Sequence, residues 1–175
     1  PFDRDNLMQY LSDIFSSQDI ASAQITQIGG MSNKNFKVTF QGNEYVLRVP
    51  GNGSEGMVDR TNEEFNAIEG CKLGVNPYIR YFNPTTGIKL ADYITNAETL
   101  NSATIQRHNN MIKIAEIYRK IHNSHIRLKN EFNIFREIEK YDTLIKKSNA
   151  TMYDGWQEVR TQVLGLESYL NKLGV

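Results

Sequence analysis

The residues best suited to chemistry in this 175-residue chain are a short glycine-rich run and the charges spaced behind it. Ile28-Gly29-Gly30-Met31-Ser32-Asn33-Lys34-Asn35 lies between two runs that read as strands. Paired glycines let a backbone approach a ligand closely, and the small polar residues offer N–H and hydroxyl donors to phosphate oxygens. Taken alone, such a run is also what an ordinary turn requires. Order and spacing give it meaning: a strand carrying one cation, Arg48, comes next, followed by a helix with acids in its first turn, Glu63 and Glu64, behind Asp59-Arg60. A hairpin over phosphates, a cation on a strand and an acid that orients the cation form a phosphate-binding set. Without that set, Arg48 is a solvent-facing strand residue. Thr61-Asn62-Glu63-Glu64 fits a capping box with Thr61 as N-cap. Glu64 is therefore assigned to the cap and Glu63 to the ion pair with Arg48.

The elements that must position these groups follow from periodicity. Leu7, Leu11, Ile14 and Phe15 recur at helical spacing over residues 3–16, with Asp3 or Asp5 as cap. Strands are expected over 23–28, 36–40 and 44–49, the last two joined by a tight turn at Gly42-Asn43. Residues 50–56 form a break, and a helix over 60–73 carries Phe65, Ile68 and Cys71 on one side. A hairpin joins 78–82 to 88–94 through Asn83-Pro84-Thr85-Thr86-Gly87. Beyond residue 96 the chain reads as helical. Met111, Ile112, Ala115, Tyr118 and Ile121 form one apolar stripe, and Phe132, Phe135, Ile138 and Ile145 a second. Trp156, Val159, Val163, Leu166, Leu170 and Leu173 form a third, which fits packing in a helical lobe better than a short coiled coil. The expected class is α+β: a small lobe with a five-stranded antiparallel sheet and one helix (1–95), then the helical beginning of a second lobe (96–175).

Glycine hairpin, cation on the third strand, acid on the following helix and a final hairpin is the layout of a protein-kinase-like small lobe. The run Gly29 to Phe36, then Tyr45-Val46-Leu47-Arg48-Val49-Pro50-Gly51, then Asp59 to Glu63, resembles the bacterial choline kinases of the choline/ethanolamine kinase family. Gly74-Val75-Asn76-Pro77, the hairpin ending Leu90-Ala91-Asp92-Tyr93-Ile94, and Ala115 to His122 extend the resemblance over nearly the whole chain. The resemblance implies ATP-dependent phosphorylation of choline to phosphocholine, with magnesium. It implies that Arg48 contacts the α- and β-phosphates and that Gly30, Met31, Ser32, Asn33, Lys34 and Asn35 cover the β- and γ-phosphates. Glu63 orients Arg48, and backbone groups of the hinge from Asp92, Tyr93 and Ile94 to Asn96 hold adenine. In such kinases a later His-x-Asp loop supplies the catalytic base and the magnesium ligands. Here His108, His122 and His125 all lack an Asp two positions on, and Asp154-Gly155 reads as a turn before a helix. No catalytic or metal-binding residue is therefore expected within these 175 residues. The chain is expected to be the front part of the enzyme, inactive alone, and self-associating through helix faces that lack their packing partners.

Composition bounds the rest. Twenty basic and twenty acidic residues cancel, which argues against a nucleic-acid partner. No apolar run approaches membrane-spanning length, and Cys71 is the only cysteine. These features fit a cytoplasmic protein with no membrane partner. Pro1 in place of Met suggests trimming or processing at that end. Related phosphotransferases acting on ethanolamine or aminoglycosides, and a non-catalytic nucleotide-binding or interaction module, remain the alternatives.

Overall fold

A computed structural model describes residues 3–16, 19–51 and 57–174. The expected break at 50–56 therefore lies largely outside the described residues. The chain divides into two compact units, Pro1–Lys129 and Asn130–Val175.

The first unit opens with helix α1 (Arg4–Phe15), capped by Asp3, whose side chain accepts from the Asp5 N–H at 3.1 Å. Strands β1 (Gln24–Ile28), β2 (Asn33–Phe40) and β3 (Asn43–Pro50) follow as a meander. Helix α2 (Arg60–Leu73) separates them from the hairpin of β4 (Ile79–Phe82) and β5 (Lys89–Asp92). The sheet order is β1-β2-β3-β5-β4 with every pairing antiparallel. The five-stranded antiparallel sheet with its helix is thus present as expected. Helix α3 (His108–His122) ends the unit's regular structure.

Alternation along the strands decides which face is core. Phe36, Val38 and Phe40 of β2, Leu47 and Val49 of β3, and Leu90 of β5 are buried against Leu7 and Leu11 of α1. Each fully buried leucine contributes roughly 1.5–3 kcal/mol. The intervening residues, including Asn35, Arg48 and Lys89, project from the opposite face by the period of the pleat. The sheet therefore has one face closed by α1 and one that carries polar groups.

Two local expectations need correction. The β2–β3 turn is Gln41-Gly42, not Gly42-Asn43: Phe40 pairs with Asn43, and both turn residues have positive φ, 48° and 74°. That is the two-residue turn whose twist matches the strands. On α2 the buried residue is Ala67, while Ile68, assigned to the apolar side, is exposed.

The second unit contains α4 (Ile134–Ser148) and α5 (Trp156–Leu173). Arg136 pairs with Glu167 and Asp142 with Arg160, a reversed register that runs the helices antiparallel. The Asp154-Gly155 turn precedes α5, with Gly155 in left-handed geometry as its N-cap.

Candidate functional site

The glycine run folds as the β1–β2 hairpin. β2 begins earlier than hydrophobic alternation suggests, because Asn33, Lys34 and Asn35 are carried by register pairing to Pro50, Val49 and Arg48. The loop proper is Gly29–Ser32. Gly30 has φ 152°, and a Cβ there would sit 2.1 Å from the Asn33 carbonyl oxygen, so glycine is a steric requirement. The Asn35 amide donates to the Gly29 carbonyl at 3.0 Å and ties the loop to the strand. Met31 stands fully exposed at the tip. Gly30, Met31, Ser32, Asn33 and Lys34 line a cavity of about 1000 Å³ on the loop.

Behind the hairpin, the registers place Asn35, Arg48 and Lys89 side by side across β2, β3 and β5. Arg48 donates through Nη1 to Glu63 of α2, the pairing expected from sequence. Through Nη2 it donates to the Gly87 carbonyl at 2.8 Å. Glu63 is shared: its second oxygen accepts from Arg60 at 2.7 Å. Burial alone would raise the Glu63 carboxyl, but hydrogen bonds from Arg48 and Arg60, with their charges, outweigh it and hold it below its ordinary value. Glu63 is thus a fixed anion that orients the Arg48 guanidinium. Helix α2 starts at Arg60 with Asp59 as N-cap, its carboxylate accepting from the Asn62 N–H at 3.0 Å. This corrects the capping box at Thr61 and removes the cap role given to Glu64. The helix begins at its expected start, Arg60, and the Asp59 carboxylate just before it reaches the N3 amide.

The far end of the cleft is the segment after β5. The Asp92 carboxylate is held by Arg80, at 2.6 and 3.1 Å. The Asp92 and Tyr93 N–H groups donate to the Tyr78 and Glu44 carbonyls, and the Tyr93 ring lies under the Lys37 ammonium. Asp92 and Tyr93 therefore shape the segment with groups already engaged, and Ile94 stands exposed beyond them. A cavity of about 650 Å³ runs between the two ends, lined among others by Gly30, Asn35, Arg48, Lys89, Tyr93 and Ile94. That size suits a small organic ligand. The sequence-predicted residues thus gather along two adjoining cavities, with Glu63 behind Arg48.

An anionic ligand fits this donor set. Arg48 Nε is buried and has no hydrogen-bond partner among the described residues, so the guanidinium keeps a donor in reserve. Two residues escaped the sequence reading. Arg60 was noted only beside Asp59 ahead of the helix acids, and Lys89 was not singled out within the expected 88–94 strand. Lys89 becomes visible only once β5 is known to pair with β3. Its ammonium is half-buried, and burial, then the neighbouring charge of Arg48, lower its pKa below the ordinary lysine range, with Glu63 opposing.

Comparison with known proteins bears on the family and the fold. The sequence profile described as choline/ethanolamine kinase matches residues 24–174. Protein LicA of Haemophilus influenzae is 27% identical over 129 residues, 74% of this chain and 38% of that protein. A crystal structure of choline kinase LicA from Streptococcus pneumoniae superposes with a TM-score of 0.79 at 33% identity, covering 97% of this chain and 59% of that one. A LicA structure in complex with AMP gives the same TM-score at 31% identity, covering 98% and 58%. The chain thus spans less than two thirds of these relatives' length. With most of its residues matched by one profile, the chain belongs to the choline/ethanolamine kinase family.

Proposed function

We propose that residues 1–95 form the nucleotide-binding lobe of an ATP-dependent choline kinase and that residues 96–175 begin its helical lobe. The observation that carries this reading is the Arg48–Glu63 pair set beneath a glycine hairpin and beside a cleft of nucleotide size. The structural similarity to LicA, whose complex with AMP is known, supports it.

In this reading the base lies toward Tyr93 and Ile94. Because the Asp92 and Tyr93 N–H groups are engaged, adenine meets Ile94 and the residues after it. The phosphates run back toward Arg48, and residues 30–35 close over the β- and γ-phosphates. Transfer joins the choline hydroxyl oxygen to the γ-phosphorus, breaks the bond from that phosphorus to the β–γ bridging oxygen, and sends the hydroxyl proton to a base. ADP leaves with the bridging oxygen. The contribution of this chain is charge neutralisation and positioning, which dominate such reactions. Magnesium, when bound with the nucleotide, neutralises phosphate charge. Its ligands are proposed to lie in the part of the relatives' length that this chain does not span.

The 175 residues alone are expected to bind nucleotide weakly and to turn over nothing. Cys71 is free, and no helix among the described residues is long and apolar enough to cross a membrane; cytoplasmic placement fits both. The test is a phosphate-acceptor panel on the full-length protein, followed by phosphorus NMR. Phosphocholine and ADP from choline and ATP are expected. Turnover of ethanolamine or an aminoglycoside in preference to choline would replace the substrate assignment. ATP consumption that responds to no acceptor would remove the kinase reading.

A further inference from the structure

Among the described residues that line the cleft, Lys89 is the one cation that the Arg48–Glu63 arrangement does not use. It lies directly opposite Arg48 in the β3–β5 ladder, and both line the same cavity. Like charges at directly opposed positions of a sheet repel. Glu63 relieves Lys89 only in part, at a distance, because it spends one oxygen on Arg48 and the other on Arg60. Among the described residues that act on one another here, three cations, Arg48, Arg60 and Lys89, share the carboxylate of Glu63. Half-burial makes the repulsion harder for solvent to screen, and a folded protein holds such a cluster at a cost to stability. An anion placed between the opposed side chains would reverse the sign of the interaction for both.

We propose, resting on the nucleotide-binding reading above, that Lys89 is a second phosphate-binding residue, acting beside Arg48 on a polyphosphate chain laid across β3 and β5. The two cations divide the work by geometry. The Arg48 guanidinium is oriented by Glu63 and the Gly87 carbonyl and offers a fixed planar edge. The Lys89 ammonium is a compact charge on a flexible stem and follows the phosphate. The groups facing Lys89 are Arg48 on β3, Arg60, Glu63 and Cys71 on α2, and Phe82 on β4, with Glu98 on the wall of the same cavity. With its proton less tightly held, ligand-free Lys89 loses charge at lower pH than a free lysine. A bound phosphate restores the proton.

The experiment uses full-length protein as wild type, Lys89→Met, Lys89→Arg and, as a charge control, Lys72→Met, whose lysine is exposed and paired with Glu69. ADP affinity is measured by calorimetry across pH, and thermal unfolding is followed without ligand. Losing one charge-assisted contact should weaken ADP binding in Lys89→Met about tenfold or more. Ligand-free Lys89→Met should melt at a higher temperature than wild type, because the repulsion with Arg48 is gone. Wild-type affinity should decline as pH rises through the lysine's lowered range, and Lys89→Arg should bind ADP with a flatter pH profile. Lys72→Met should match wild type. Unchanged ADP affinity in Lys89→Met, or weakened affinity with a lowered melting temperature, would overturn the Lys89 assignment while leaving the nucleotide reading intact. Failure of wild type to bind ADP at all would instead overturn the nucleotide reading itself.

Discussion

The carbonyl of Gly87 accepts a hydrogen bond from Arg48 Nη2 at 2.8 Å, so the turn before β5 helps aim the cation on β3. Gly87 has φ 74°, and a Cβ there would come within 2.7 Å of Arg60 Nε and 2.9 Å of Pro50 Cγ. Gly87→Ala is expected to cost about 1–2 kcal/mol, the usual penalty for left-handed geometry, measured by urea unfolding. Because Arg60 and Arg48 share Glu63, the same substitution should weaken ADP binding. Full stability together with full binding would show that the turn has no part in aiming Arg48.

Glu63 makes the cluster acid-sensitive, and the sign follows from its pKa. Its folded-state value is lowered below 4.5, so the unfolded chain binds the proton more readily. The stabilisation is complete above the ordinary carboxylate range and is lost as pH falls through the folded value. Glu63→Gln should therefore destabilise the protein by about 1–3 kcal/mol at neutral pH. The gap from wild type should close as pH drops below 4.5. Circular dichroism at a series of pH values reads this directly; a gap that stays constant would contradict the assignment.

Gly30→Ala tests the hairpin. With φ 152° and a Cβ contact of 2.1 Å to the Asn33 carbonyl oxygen, the loop must move. The expected cost is about 1–3 kcal/mol, with a larger fractional loss in nucleotide affinity than in stability, because the Asn35–Gly29 bond registers the loop to Arg48's neighbour. Gly29→Ala meets nothing within 4 Å and should be the milder change.

Apolar side chains stand exposed on the helices. Met111, Tyr118 and Ile121 of α3 lie open in the first unit, and Val159, Leu166 and Leu173 of α5 in the second. Exposed apolar stripes of this kind associate in water. The isolated 175-residue chain should show a mass that grows with concentration in light scattering, and glutamate at Met111 and Leu166 should reduce the growth. A monomer at all concentrations would contradict this.

How much of this was legible in the sequence depends on the range of each interaction. The α2 boundaries and the strand faces follow local periodicity and were read nearly to the residue. Pairing of Arg48 with Glu63 was also readable, because a third-strand cation and a first-turn acid are a recurrent couple. The cap of α2 was misread because Thr61 and Asp59 are both good caps, and only the helix start chooses between them. Lys89 was not legible at all. Its meaning comes from β5 lying beside β3 with β4 outside it, a non-local ordering with no trace in the spacing of residues 88–92.

The central claim, that this lobe holds nucleotide phosphates on Arg48, is tested most directly by titrating ADP into the full-length protein, wild type against Arg48→Met. Saturable one-to-one binding in the wild type is predicted, weakened about tenfold to a hundredfold in Arg48→Met, the range expected for a lost arginine–phosphate contact. Equal ADP affinity in the two proteins would contradict it.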